Sequence, residues 1–144
     1  MYHAFPGAVR GSLSMILYIL NMVFECIPLF VLAPAKAVVP LESWMQRCSR
    51  ILKAIAENWI WVNNQNQKLV GNTRWDVQGL EALKRSEWYL VLANHQSWVD
   101  ILVLQRIFHR KTPFLKFFIK KELLWLPILG QAWWAMDFPF VKRY

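Results

Sequence analysis

Two residues in this sequence have the types and the spacing to move a proton: His95 and Asp100, within Asn94-His95-Gln96-Ser97-Trp98-Val99-Asp100. A carboxylate beside an imidazole fixes its tautomer and stabilises the imidazolium that forms as a proton is taken, which is how a general base is built. The spacing restricts how the two can meet. Positions five apart diverge by roughly 140° around a helix, and in a strand they face opposite sides. They come together only round a corner, where a strand ends at His95 and a helix starts near Ser97. A plainer reading uses the same residues. Ser97-x-x-Asp100 fits a helix capping box, with His95 an ordinary strand-end residue. Spacing alone leaves both open.

The elements that would make this corner are visible on either side. Trp88 to Ala93 (WYLVLA) is long enough for one buried strand and too short for a helix. Ile101, Leu102, Leu104, Gln105 and Phe108 continue at helical spacing to about His109. Ahead of the strand stand a short alternating segment (Trp75, Val77), Gly79 and a brief helix near Leu80 to Lys84. After the helix, Arg110-Lys111-Thr112-Pro113 makes a turn, and Phe114 to Ile119 reads as a second strand. A short helix from Lys120 is interrupted at Pro127 and Gly130, and Phe138 to Val141 reads as a third strand. Strands alternating with helices imply an α/β fold with a mainly parallel sheet flanked by helices.

The first half of the chain is different in kind. Leu13 to Ala35 is almost wholly apolar and about as long as a hydrocarbon core is thick. Glu25 is costly there unless neutral, paired or near water, and Pro28 is expected to kink or break the helix. A tilted or re-entrant helix therefore competes with a clean span. A signal peptide cut near Ala33-Pro34-Ala35 is a further alternative, but the run is longer than a usual signal core and only Arg10 precedes it. From 41 to 62, Leu41, Trp44, Met45, Cys48, Leu52, Ile55, Trp59 and Val62 repeat at helical period, with Arg47, Arg50, Lys53 and Glu57 opposite. Such a helix suits a membrane interface or packs on its own domain, and the apolar anchor before it favours the interface; basic residues after the apolar run place that side in the cytoplasm. The polar run from Asn63 to Asn72 reads as a linker. The expected division is thus 1–72, a membrane-anchoring helical pair and linker, and 73–144, an α/β domain.

Composition narrows the partners. The 144 residues are 56% hydrophobic with nine Trp and a net charge of +8, suited to a membrane-associated protein. The basic residues are spread along the chain, favouring anionic lipid head groups and phosphate-bearing substrates over nucleic acid. No nucleic-acid-binding motif, P-loop or Gly-x-Ser-x-Gly elbow is visible, and His3, His95 and His109 are too scattered for a metal site. Cys26 and Cys48 read as two free thiols.

Beyond the two residues, the whole string NHQSWVD resembles the H-x-x-x-x-D block of the glycerophospholipid acyltransferase superfamily, which includes the 1-acylglycerol-3-phosphate acyltransferases. Val77-Gln78-Gly79-Leu80-Glu81, Lys121-Glu122-Leu123 with Pro127 and Gly130, and Phe140-Val141-Lys142-Arg143 are similar to further family segments, so the likeness runs from about Val77 to Arg143. The resemblance implies a membrane-bound enzyme of the cytoplasmic (inner) membrane, with its catalytic part on the cytoplasmic face. That enzyme would move a fatty acyl group to the free hydroxyl of a lysophospholipid such as lysophosphatidate. It implies that His95 is the base, that Asp100 orients it, and that Arg143, with Lys142, holds the acceptor's phosphate. It implies no cofactor, with acyl-coenzyme A or acyl carrier protein supplying the thioester. The family's downstream Glu-Gly-Thr-Arg block has no counterpart here; Gly71-Asn72-Thr73-Arg74 is only a passing likeness. The expectation is therefore an N-terminal piece of a longer enzyme, inactive alone. The alternative is a non-catalytic membrane-surface fragment that binds lipid.

Overall fold

The structure, a computed structural model, describes residues 6–70 and 73–142. Its first two elements are long helices, α1 (Gly7–Val38) and α2 (Glu42–Val70). α1 runs through Pro28 and Pro34 without interruption, so the expected break at Pro28 does not occur. It is long and apolar enough to cross a membrane. α2 opens after Pro40, with the Trp44 and Met45 amides bonded to the Leu41 carbonyl and Glu42 in its first turn, where a carboxylate favours the helix dipole. It also runs further than its apolar period indicates. Residues 63–70, read as a linker, are helical.

One face of α2 explains the extension. Cys48, Leu52, Ala56, Ile60, Asn63 and Asn66 recur at intervals of three and four and are all buried. The stripe continues unbroken while its chemistry changes from apolar to amide. The amides are therefore helix-face residues, and their polarity alone gave the appearance of a loop.

Contacts divide the chain into two interleaved units, 1–21 with 59–115 and 22–58 with 116–144. In the second, Leu29 and Ala33 of α1, Leu52 of α2, and Ala132 and Ala135 of a short helix, here α4 (Leu129–Ala135), form the apolar core. Lys36 closes its edge with an ion pair to Asp137 at 2.8 Å. Glu25, the costly carboxylate of the apolar run, accepts a hydrogen bond from the Asn58 side chain. Cys26 and Cys48 are buried and unbridged.

The sheet in this unit is small. β1 (Ile119–Lys120) and β2 (Phe140–Val141) pair in parallel, Ile119 opposite Phe140. Between them lie a 3₁₀ helix, Lys121–Trp125, and α4. Gly130 is required where it stands, because a Cβ there would lie 2.0 Å from the Leu124 carbonyl oxygen. The parallel pairing of the expected second and third strands is thus present at their ends. The fold among the described residues is nonetheless mainly helical, with two strands where a larger α/β layer was expected.

In the first unit, α1 and α2 meet through polar groups. The Asn21 amide donates to the Asn63 side chain at 2.8 Å and to the Trp59 carbonyl at 3.1 Å. Asn66 donates to the Ser14 carbonyl and accepts from its hydroxyl. α3 (Trp98–Phe108) completes this unit and ends with Arg110 in the left-handed region, at the expected turn. The brief helix expected near Leu80 to Lys84 is instead a turn, closed by the Leu83 amide on the Leu80 carbonyl.

Candidate active site

α3 starts where the spacing of His95 and Asp100 requires a corner. Ser97 is its N-cap, in extended conformation, and Asp100 is the third helical residue, forming the capping box with Ser97. One oxygen of Asp100, Oδ2, accepts the backbone amides of both Gln96 and Ser97 at 2.7 Å. Bonds this short to an ionised acceptor are the strong kind. The same oxygen lies 3.4 Å from His95 Nδ1. Capping and pairing are therefore one arrangement. The carboxylate that ties the corner is also the one that faces the imidazole.

The electrostatics follow from these contacts. The Ser97 amide first, then the Gln96 amide, hold the Asp100 carboxyl below its usual range, with the neighbouring His95 contributing less. Asp100 stays ionised and able to stabilise a positive ring. At 3.4 Å the pair is longer than a good hydrogen bond, but general-base contacts commonly tighten only in the transition-state complex. With Nδ1 turned to the carboxylate, Nε2 is the atom left to take a proton. The His95 side chain is 58% exposed, so the ring is reachable, and Trp98 and Val99 beside it are exposed as well.

Other expectations fall differently. Trp88 to Ala93 is not a buried strand. It pairs with no strand among the described residues, and Trp88, Leu90 and Leu92 are 90%, 79% and 86% exposed. Tyr89 and Val91 between them are partly covered, so the period of two survives without the burial that the apolar composition led one to expect. A strand becomes buried only when a sheet and a facing layer meet it, and its own sequence supplies neither. Lys142 is exposed, and Arg143 lies outside the described residues. The structure thus brings His95 and Asp100 together and leaves the predicted phosphate contacts undescribed as a site. Among the described residues no group of three His, Cys, Asp or Glu is placed to hold a metal ion.

Sequence reading missed two interactions, one at the corner and one further along α3. The Gln96 amide is one; a backbone donor carries no residue-type signal. Arg106 is the other. Its guanidinium lies over the Trp75 ring, 4.3 Å from the centroid, and donates to Gln67 of α2 at 3.1 Å.

Residues 74–144 match the family model described as Acyltransferase. That match supports the glycerophospholipid acyltransferase superfamily named from the motifs. Neither the curated proteins nor the solved structures provide a match.

Proposed function

We propose that the protein is a membrane-bound lysophospholipid acyltransferase in which His95 is the general base. Nε2 of His95 takes the proton of the acceptor's free hydroxyl as its oxygen attacks the thioester carbonyl of the donor. The tetrahedral intermediate collapses, the C–S bond breaks, and the proton leaves the imidazolium for the departing thiolate. Asp100 holds the ring in the useful tautomer and offsets its charge. Lys142 and Arg143 bind the phosphate of an acceptor such as lysophosphatidate, Arg143 in bidentate fashion. The donor is acyl-coenzyme A or acyl carrier protein; both are anionic, which the net charge of +8 favours. The observation that carries the reading is the single Asp100 oxygen shared between the corner's amides and His95.

The helical pair supports a membrane location on the cytoplasmic face. α1 exposes Ile16, Leu20, Phe24, Ile27 and Val31, while its polar Ser14 and Asn21 turn to α2. α2 leaves Arg47, Arg50 and Lys53 exposed. Those charges beside the apolar helix favour a pair that dips into one leaflet over a single crossing. The test is transfer of labelled acyl groups from acyl-coenzyme A to lysophosphatidate in vesicles. His95→Ala is expected to lower the rate by about 10²–10⁴ and leave vesicle binding intact. Unchanged transfer in that variant would leave only the lipid-binding alternative.

A further inference from the structure

α3 carries Asp100 in its first turn, and its apolar side chains from Ile101 to Phe108 are largely covered without being fully buried. Gln105 is its one buried residue. Its specific tether is Arg106, two turns beyond Asp100. The guanidinium carbon sits over the Trp75 ring, 4.3 Å from its centroid, and Nη1 donates to Gln67 Oε1. Trp75 belongs to the segment leading into the corner, and Gln67 to the last turns of α2. One planar cation therefore ties the helix bearing Asp100 to two other parts of the same unit. Lysine could not reproduce this, because the flat face stacks while the edge donates.

We infer that Arg106 is a positioning residue for acyl transfer: clamped between Trp75 and Gln67, it sets where α3 presents Asp100, and through it His95. The inference rests on the reading of His95 and Asp100 as base and orienting carboxylate. The contacts of Arg106 are to Trp75 and Gln67 rather than to His95 or Asp100, so its loss acts on geometry. A displacement of about 1 Å at the reacting groups is enough to cost about 10²-fold.

The test uses the whole protein in phospholipid vesicles with acyl-coenzyme A and lysophosphatidate. Arg106→Ala is expected to lower kcat by about 10–100-fold with KM changed less than about threefold. Arg106→Lys recovers part of the loss. Gln67→Leu, which removes the Arg106 acceptor along with Gln67's bond to Tyr18, lowers kcat by roughly three- to tenfold where Tyr18→Phe does not, and the pair decides the matter if Arg106→Ala does not fold. Hydrogen exchange gives a readout independent of activity. The Gln96 and Ser97 amides, which Asp100 holds, exchange at least about tenfold faster in Arg106→Ala. A kcat within about twofold of wild type in folded Arg106→Ala and Gln67→Leu, with His95→Ala inactive, overturns the clamp alone. So does a kcat that falls only in step with the folded fraction. A silent His95→Ala condemns the catalytic reading instead, and the exchange rates then still report whether Arg106 holds the corner.

Discussion

In one unit the buried side chains are mainly apolar, Leu29, Ala33, Leu52, Ala132 and Ala135 among them, with Glu25 as the charged exception; in the other they are mainly polar, Asn21, Asn63, Asn64, Asn66, Gln105 and Thr112, with Ile60 as the apolar exception. The same two helices contribute to both. Apolar packing is non-directional and tolerates small shifts, whereas amide pairs hold only at one register, because a displaced partner leaves a buried polar atom unsatisfied. The unit held by hydrogen bonds is the one that contains His95 and Asp100. A register fixed by direction suits a site where a base must be aimed, and the apolar unit supplies stability without that demand.

Four substitutions or conditions separate the two kinds of unit. The largest effect belongs to the apolar one: Leu52, 1% exposed, loses its packing in Leu52→Ala at a cost of about 2–5 kcal/mol in denaturant unfolding. In the amide unit, Asn63→Leu removes one of the two acceptors of the Asn21 amide and costs about 1–3 kcal/mol, while the double variant Asn21→Leu/Asn63→Leu recovers most of that. Recovery in a double-mutant cycle marks a directional pair; additive losses would remove the distinction between the units. Acid acts next. Asp100 has a depressed folded-state pKa, so its contribution to the corner is complete above its unfolded value of about 3.9 and is lost as pH falls through the lower folded value. Protection of the Gln96 and Ser97 amides, relative to their intrinsic exchange rates, is expected to fall only in that acid window, and Asp100→Asn removes the dependence. The smallest effect is at Lys36, whose partner Asp137 is well exposed: Lys36→Ala changes unfolding by roughly 0–1 kcal/mol.

Local signals served the sequence reading well. The corner at Ser97, the start of α3, the turn at Arg110 and the short helix after Lys120 each depend on neighbours within a few residues, and each was legible. Long-range features were not. Asn63 to Val70 looked like a linker because amides are usually solvated; only Asn21 and Ser14, some 40 to 50 residues away, make them buried helix-face residues. Trp88 to Ala93 looked buried because apolar residues usually are, and nothing in that segment says whether a sheet will cover it. Glu25 was rightly read as needing a partner, but the identity of Asn58 comes only from the antiparallel approach of α2. At the site itself, the residue types announced the pair, and the structure puts the cap and the contact with His95 on one Asp100 oxygen.

One carboxylate both fastens the corner and faces His95, and Asp100→Asn separates those duties. The amide oxygen can still accept the Gln96 and Ser97 amides at neutral pH, but the charge facing His95 is gone. Acyl transfer and amide exchange measured on that one variant are expected to diverge, with protection at the corner largely kept and the transfer rate lowered by about 10² or more. A variant that keeps the corner and transfers acyl groups at the wild-type rate would contradict the account.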